Sequence, residues 1–329
     1  MVVEYALEYR VEANGKDITE LLQGQSEQIT ITDEAGYRSD KLSISLSDTG
    51  ITLPDSGAEL TVHMGYKDNL RLMGKYVVDE VTLSFPPDSM TINANAAPLE
   101  KSNSGFTPLQ SQKSRSFPAG TIHDLVSTIA KEHNLAPAVV PSLVQVPLPH
   151  IDQIDESDMN VLTRVAKEHD AIAKANGGKL LFIERGKGKN VKVKQMPTVV
   201  LTKQQVTSGT VKLSKRQAYK SVIATYRDTA AAKDIEVTAG AGEPAYRLKG
   251  MYADKKAATT AVQKRLKSFV RGKSTLSLTL PFTPDLVAES RLVLQQFRTG
   301  IDGEWSVTKA THTMNSSGGV TSVEGEVVV

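Results

Sequence analysis

Apolar and polar residues alternate in short runs between residues 5 and 97, and turn-forming residues separate the runs. Such alternation is typical of half-buried β-strands, because successive side chains point to opposite faces of a sheet. Asn14 followed by Gly15 predicts a tight hairpin turn, since both residues tolerate positive φ. The stretch therefore predicts an all-β module, a small barrel or sandwich, with strands over residues 5–11, 28–32, 42–46, 60–65, 76–85 and 90–96.

The period changes to that of a helix after residue 120. Apolar residues recur at helical spacing from Thr121 to His133, and Thr121 and Asp124 are placed as a capping box. A second helix is predicted to begin at Ser157, and a strand is predicted at residues 179–183. These elements predict a small α/β middle domain. Residues 98–120 are rich in Ser, Pro, Gln and basic residues, which predicts a linker.

The β pattern resumes near Val199 and continues in a predicted strand at residues 221–226. One long helix interrupts it, capped by Asp254 and ended by Gly272, with a buried stripe of Ala258, Ala261, Val262, Leu266 and Phe269. We expect a mainly β chain with α+β character. Its two similar β-barrel-like modules, residues 1–100 and 199–329, would be separated by the α/β middle domain at residues 101–198.

Two segments near the start of the chain recur near its end. Residues 42–46 (LSISL) recur as 276–280 (LSLTL), and residues 74–78 (GKYVV) recur as 303–307 (GEWSV). The order and spacing match, which predicts an internal duplication; the alternative is that any two short hairpins look alike. Duplication matters because a chain with two similar modules can build a ring containing twice as many modules as chains.

Composition narrows the functional classes. A chain of 329 residues is long enough for two or three domains, and its net charge of +2 argues against a polycation that binds nucleic acid or membranes as a whole. The absence of cysteine excludes disulfides, thiolate zinc sites and cysteine nucleophiles. The N-terminal residues lack a signal-peptide pattern and no apolar stretch approaches a membrane span, so we expect folding in the cytosol.

Two glycine-containing segments resemble nucleotide-binding motifs only in part. Residues 272–274 (GKS) match the end of a phosphate-binding loop, but the position of its required first glycine holds Lys267. Gly186 and Gly188 begin a dinucleotide-binding fingerprint, yet Val191 occupies its third glycine position. We therefore predict no nucleotide cofactor.

Histidines and carboxylates offer the remaining candidates for catalysis or metal binding. His133 and His169 end two similar helical segments, where they could bind a metal or shuttle protons. The helix dipole equally favours a histidine at that end, and neither helix has two metal ligands on one face. A cluster of acidic residues just before the second helix could form a hydrolase acid–base pair or a calcium-binding loop. Its spacing does not match a calcium loop, and the helix dipole alone favours acidic residues before a helix. That cluster, which we interpret as structural like the histidines, comprises Asp152, Asp155, Glu156 and Asp158.

Two groups of basic residues could contact DNA phosphates or an acidic partner, or could simply be solvated surface. The first group lies on the middle-domain hairpin and lacks the aromatic residues that stack on single-stranded bases. The second follows the long third helix. Their members are Arg185, Lys187, Lys189, Lys192 and Lys194 in the hairpin, and Lys255, Lys256, Lys264, Arg265, Lys267, Arg271 and Lys273 in the helix.

One block of sequence resembles a known family. Residues 151–166 (IDQIDESDMNVLTRVA), followed by 177–182 (GGKLLF), are similar to the central signature of the phage late control protein D family. Members of that family form the baseplate hub of contractile tails, and relatives include the hub part of type VI secretion spikes. Residues 114–117 (SRSF) and 301–307 (IDGEWSV), with His312, resemble the family as well.

The resemblance implies a structural hub rather than an enzyme, with no catalytic residue, metal or cofactor. It implies a homotrimer with a pseudo-sixfold ring around a channel, which joins the sixfold tail tube to a trimeric spike. Partners would be the tail tube protein, the spike protein and baseplate wedge proteins, with DNA passing without sequence specificity and no membrane contact. The location would be the tail baseplate of a virion or phage-like particle, assembled in the bacterial host cytoplasm. Two other functions stay open, a tail-associated cell-wall hydrolase and a DNA-contacting portal or adaptor protein.

Overall fold

The computed structural model describes residues 6–25, 27–35, 40–48, 50, 52–55, 57–96, 108–176, 179–185, 198–213, 219–228, 231–252, 254–271 and 274–328. The first third contains β1 (Leu7–Ala13), β2 (Lys16–Asp17), α1 (Thr19–Leu22), β3 (Gln28–Glu34), β4 (Lys41–Ser47), β5 (Glu59–Tyr66), β6 (Asn69–Ser84) and β7 (Ser89–Ala96). The middle contains β8 (Gln112–Phe117), β9 (Gly120–Thr121), α2 (Ile122–Glu132), β10 (Ala136–Val139), α3 (Pro141–Val144), β11 (Pro147–Leu148), β12 (Ile151–Ser157), α4 (Asp158–Glu168), β13 (Ala171–Asn176) and β14 (Lys179–Glu184). The last third contains β15 (Thr198–Thr202), β16 (Ser208–Leu213), β17 (Ser221–Asp228), β18 (Lys233–Gly240), β19 (Ala245–Tyr252), α5 (Lys255–Arg271), β20 (Ser274–Pro281), β21 (Arg291–Gln295), β22 (Gly303–Asn315) and β23 (Gly318–Val327).

The first and last thirds of the chain share one large sheet. Its strand order is β16-β20-β23-β22-β3-β4-β7-β6-β5-β1-β2, and β21 pairs with both β22 and β15. The junction between the two thirds is the antiparallel pair β3–β22, in which Ile31 lies opposite His312. The strand pairs found among the described residues leave this order open rather than closing it into a barrel.

Strand order and register repeat between the two modules. The order β3-β4-β7-β6-β5-β1 in the first module corresponds, strand by strand in chain order, to β16-β20-β23-β22-β21-β15 in the second. Tyr76 lies opposite Ala96, and its counterpart Trp305 lies opposite Val327. The predicted pair of similar β modules is therefore confirmed, with the difference that β1 is antiparallel to β5 whereas β15 is parallel to β21.

A β-bulge occupies the same place in both modules. The register of the β6–β7 pair shifts after Val78, and that of the β22–β23 pair shifts after its counterpart Val307. The Val78 carbonyl accepts a hydrogen bond from the Gly57 N–H, and the Val307 carbonyl accepts one from the Glu289 N–H, at 2.9 and 2.8 Å. A shared bulge with shared backbone partners is a stronger sign of duplication than similar hairpins, because a bulge has a fixed position in its ladder.

Four hydrophobic clusters form the interior of the part of the chain that the structure describes. The first module has its own core, to which the second contributes Phe282 and Met314. The second module has a core around the fully buried Leu292 and Val307. The middle domain and the segment between β16 and β20 each have a separate core. Apolar burial thus reinforces the β3–β22 junction, because Met314 on β22 packs into the first module.

The middle domain follows the predicted helices but not the predicted linker. The Thr121 hydroxyl accepts a hydrogen bond from the Asp124 N–H and the Asp124 carboxylate accepts from the Thr121 N–H, which is the predicted capping box. Residues 112–117 fall within the predicted linker but form β8, which pairs with β12. The linker prediction was wrong there because Lys113 and Arg115, at alternate positions of β8, both pair with the buried Asp158 instead of forming an apolar stripe.

An insertion of three strands and one helix separates β16 from β20. The strand β17 lies between β18 and β19, neither of which the sequence pattern predicted, and α5 packs on this sheet. The helix begins as expected, because Asp254 Oδ1 accepts a hydrogen bond from the Ala257 N–H at 2.7 Å. Ala258 and Val262 are fully buried, whereas Ala261 is half-buried.

Candidate interaction surfaces and buried charges

The acidic cluster does not form one site. Asp158 is fully buried beside α2, whereas the Asp152 side chain is 62% exposed and pairs with His150. Asp155 accepts a hydrogen bond from the Ser114 hydroxyl at 2.9 Å, and Glu156 pairs with Arg164. The carboxylates thus have separate partners, which is not the arrangement of a hydrolase acid–base pair.

Asp158 is the centre of a buried polar network. Its Oδ2 accepts hydrogen bonds from Lys113 Nζ at 2.7 Å and from His133 Nε2 at 2.8 Å. Its Oδ1 accepts from Arg115 Nη2 at 2.6 Å and from Gln153 Nε2 at 2.9 Å. Burial alone would raise the pKa of Asp158, but these hydrogen bonds and the Arg115 charge lower it to about 2.

Glu132, His133 and Asp158 also place three potential metal-ligand atoms within 4.8 Å of one another. The carboxylates of Glu132 and Asp158 both already accept from Lys113 and Arg115. A bound cation would have to displace an ammonium and a guanidinium group, so the residues fit an ion-pair network better than a metal site. His133 is the C-cap of α2, which agrees with its structural interpretation.

His169 is the C-cap of α4. Burial, together with the nearby charge of Lys264, lowers its pKa to about 4. The His169 imidazole is therefore neutral at pH 7. Because Lys264 belongs to α5, its proximity to His169 shows that the segment inserted between β16 and β20 lies against the C-terminal end of α4. Both histidines are thus C-cap residues, and the His133 imidazole in addition donates a hydrogen bond to Asp158.

The two predicted basic groups lie in different surroundings. In the hairpin group, Arg185 Nε lies 3.4 Å from Glu326 Oε1 on β23; Lys187, Lys189, Lys192 and Lys194 lie outside the described residues. On α5, the Arg265 guanidinium stacks over Tyr246 and Phe269 at 5.0 and 4.7 Å from the ring centroids. Lys255, Lys256 and Lys267 are exposed and Lys264 is half-buried, while Lys273 and the side chain of Arg271 lie outside the described part.

Lys267 lies in the last third of α5, so the residues before the GKS sequence form a helix rather than a phosphate-binding loop. Gly272 itself, together with Gly186, Gly188 and Val191, lies outside the described residues. Within the described part of the chain, no helix combines the length and apolar character needed to span a bilayer.

A carboxylate pair that sequence reasoning missed lies where three parts of the chain meet. Lys174 Nζ on β13 lies 2.5 Å from Asp40 Oδ1 and 3.7 Å from Asp33 Oδ1. Asp33 Oδ2 accepts a hydrogen bond from the Ala288 N–H at 2.9 Å. Burial and the Asp33 charge raise the pKa of Asp40 to about 7, against the opposing effect of Lys174. Isolated charged residues near strand ends gave no sequence signal for this junction.

Two sheet edges carry exposed apolar side chains. At the end of β6, Leu83 is 44% exposed and the adjoining Phe85 is 81% exposed. On β16, at the end of the large sheet, Leu213 is 52% exposed. Exposed apolar residues on an unpaired strand edge are typical of a surface that another strand covers.

Comparison with known proteins places this fold in a family. A family model described as phage tail baseplate hub (GPD) matches residues 107–318, which include β12 and α4 with their signature sequence. The chain belongs to the phage tail baseplate hub family. The resemblance carried by residues 151–166 is thereby confirmed.

Individual relatives agree with this assignment. The chain is 31% identical to the probable baseplate hub protein of Escherichia phage 186, over 95% of this chain and 91% of the relative. A tail protein from Neisseria meningitidis MC58 has a similar fold, with a TM-score of 0.72 at 13% identity over 98% of this chain and 97% of that chain. An E. coli component of the type VI secretion system, itself described as structurally similar to bacteriophage T4 tail proteins gp27 and gp5, gives a TM-score of 0.55 at 10% identity over 96% and 76% of the two chains.

Proposed function

We propose that the protein is the structural baseplate hub of a contractile phage tail or phage-like tail, and that it acts as a homotrimer. The duplicated β module carries this proposal. Three chains with two equivalent modules each make six similar units, so the ring would present pseudo-sixfold symmetry to the tail tube and threefold symmetry to a trimeric spike. The units would be the two β modules, residues 1–100 and 199–329, with the middle domain at residues 101–198 between them.

Partners in this proposal are the tail tube protein, the trimeric spike protein and baseplate wedge proteins. The ring would line a central channel through which DNA passes without sequence specificity, and the particle would be assembled in the host cytoplasm. Affinity would come from strand edges and apolar patches rather than from a catalytic pocket. The separate pairing of the acidic cluster favours this function over a cell-wall hydrolase.

Electron microscopy of the purified protein, with its mass measured by light scattering, tests the proposal. We expect a trimer whose end-on images have six similar lobes around an open channel. A chain that stays monomeric at high concentration and within assembled tails would contradict it, as would a ring without a lumen. Turnover of peptidoglycan that is lost on changing Glu156 to Ala would instead support the hydrolase.

A further inference from the structure

The junction between the two modules of one chain provides a template for the junction between chains. In the second module, β22 pairs with β21 up to Ser306, and its remaining half, Lys309 to Asn315, pairs with β3 of the first module. Ala310, His312 and Met314 are buried at this junction. The first half of β6 pairs with β5 up to Val77 in the same way.

The second half of β22 pairs with β3, but its counterpart, the second half of β6, has no such partner strand among the described residues. By the register that aligns Tyr76 with Trp305, the counterparts of Ala310, His312 and Met314 are Val81, Leu83 and Phe85. Beyond Val78, no strand among the described residues pairs with this edge of β6. The side chains that correspond to buried His312 and Met314 are instead exposed and apolar.

The strand that could pair with the second half of β6 is β16, whose counterpart in the first module is β3. Val211 faces Leu276 as Ile31 faces Leu42, so β16 of the second module is equivalent to β3 of the first. In the first module the outer edge of β3 is covered by β22, whereas β16 ends the large sheet. In the described part of each chain, the second half of β6 and the outer edge of β16 therefore lack a partner, whereas their counterparts β22 and β3 pair with each other at the internal junction.

We propose that β16 of one copy pairs antiparallel with residues 81–85 of the next copy, in the register of the β3–β22 pair. The proposal rests on the homotrimeric hub proposed above and names the surfaces that would close its ring. A head-to-tail contact of this kind closes into a ring of three copies when each of the six junctions, three within chains and three between them, rotates one module by a sixth of a turn. The occupant of both edges is therefore a second copy of this chain.

The transferred register pairs complementary side chains. Val81 would lie opposite Leu213, Leu83 opposite Val211, and Phe85 opposite Gly209, all on the core-facing side. A Cβ added at Gly209 would lie 2.4 Å from a Leu278 methyl group, so this position has to be small on that side. A large aromatic ring facing a strand glycine covers the gap that the missing side chain leaves. The ladder would end at Phe85, because Pro86 has no N–H to donate.

The opposite face of the pair would also match. Thr30 and Thr313 face each other across the internal junction with their hydroxyl oxygens 3.4 Å apart. Their counterparts are Thr210 and Ser84, which are also hydroxyl-bearing. Replacing this pair by cysteines gives a direct test of register, because the chain contains no native cysteine.

The experiment oxidises a purified S84C/T210C double variant and separates the products on a non-reducing gel. We expect covalent dimers and trimers, with the trimer as the largest product, and no ladder from the S84C or T210C single variants. The internal counterpart, T30C/T313C, should form its disulfide within one chain and should add no intermolecular product. A V211C/S84C variant, shifted by one residue, should crosslink poorly because a one-residue slip moves the side chain to the other face.

A second measurement does not depend on cysteine chemistry. Leu83→Glu should raise the protein concentration at which half of the chains are trimeric by at least about tenfold, since it buries a carboxylate without a partner. Leu72→Glu, at an exposed position on the paired half of β6, should leave this concentration within about twofold. Circular dichroism checks that both variants are folded.

The outcomes separate the two proposals. A wild-type trimer that gives no S84C/T210C crosslink and tolerates Leu83→Glu overturns the strand pairing but leaves the homotrimeric hub intact. A wild-type chain that is monomeric both alone and within tails overturns the hub and the pairing together. Crosslinked trimers with a sensitive Leu83 support both.

Discussion

Replacing Asp158 with asparagine tests whether the buried carboxylate network stabilises the middle domain. The substitution keeps the shape of the side chain but removes the charge that faces Lys113, Arg115 and His133. Removing one member of a buried ion pair typically costs about 3–5 kcal/mol, because the remaining charges lose their partner. Glu132 still accepts from both cations here. We therefore expect a loss of about 2–3 kcal/mol in the free energy of unfolding.

The dependence of stability on acid pH gives a second test of the same network. The folded-state pKa of Asp158 is about 2, against 3.8 ordinarily, and a difference of this size corresponds to about 2 kcal/mol of stability. Because the folded-state value is the lower one, this stabilisation is present above pH 3.8 and is lost as the pH falls toward 2. Asp158→Asn should therefore flatten the decline in stability between about pH 4 and pH 2.

Native-state hydrogen exchange of the α2 and α4 amides is the appropriate assay, because it reports the opening free energy of this domain separately from the β modules. The matched control is Asp152→Asn, which changes an exposed member of the same acidic cluster and should cost at most about 0.5 kcal/mol. Equal effects of the two substitutions, or an unchanged acid response of Asp158→Asn, would refute the reasoning.

Three further predictions concern other parts of the chain. Asp40 has a folded-state pKa raised to about 7 from an ordinary value of 3.8, so the stability that its protonated form contributes is lost as the pH rises from about 4 to about 7; Asp40→Asn should reduce the fall in Tm across that range, and unchanged pH dependence would argue against it. Thr121→Ala should lower the opening free energy of α2 by about 1 kcal/mol in hydrogen exchange, because the capping box is lost. Gly65→Ala places a Cβ 2.2 Å from the Asn69 carbonyl oxygen and should cost at least about 2 kcal/mol in thermal unfolding; a smaller loss would mean that this turn relaxes easily.

Sequence reasoning succeeded where the signal is local. The Asn14-Gly15 turn has positive φ at both residues, and Ser157 caps α4 as expected, because turn chemistry and caps depend on neighbouring residues. The repeat was detectable because both copies keep their buried leucines and the aromatic residue two positions after the glycine. It located the two modules without revealing that β3 and β22 join them, since that pairing has no local signature.

The candidate sites were predictable only in part. Clusters of lysine and arginine identified α5 as a basic surface, but nothing in the sequence separated Arg265, which stacks on aromatic rings, from the exposed Lys255 and Lys256. Asp158 was recognised as structural from its place before a helix, whereas its partners on β8 were assigned to a linker. Burial of a charge depends on the tertiary fold, and hydrophobic periodicity carries no information about it.

The insertion between β16 and β20 leaves the second module at Leu213 and returns at Ser274, two residues that lie directly opposite each other. In the first module only six residues connect the corresponding positions, Asp33 and Asp40. A tenfold longer connection raises the loop-closure cost by only about 2 kcal/mol, and an accessory with its own core can offset that. The connection between β16 and β20, like the one between β3 and β4, is thus a position where new recognition elements can be inserted or exchanged without altering the pairing of the two strands.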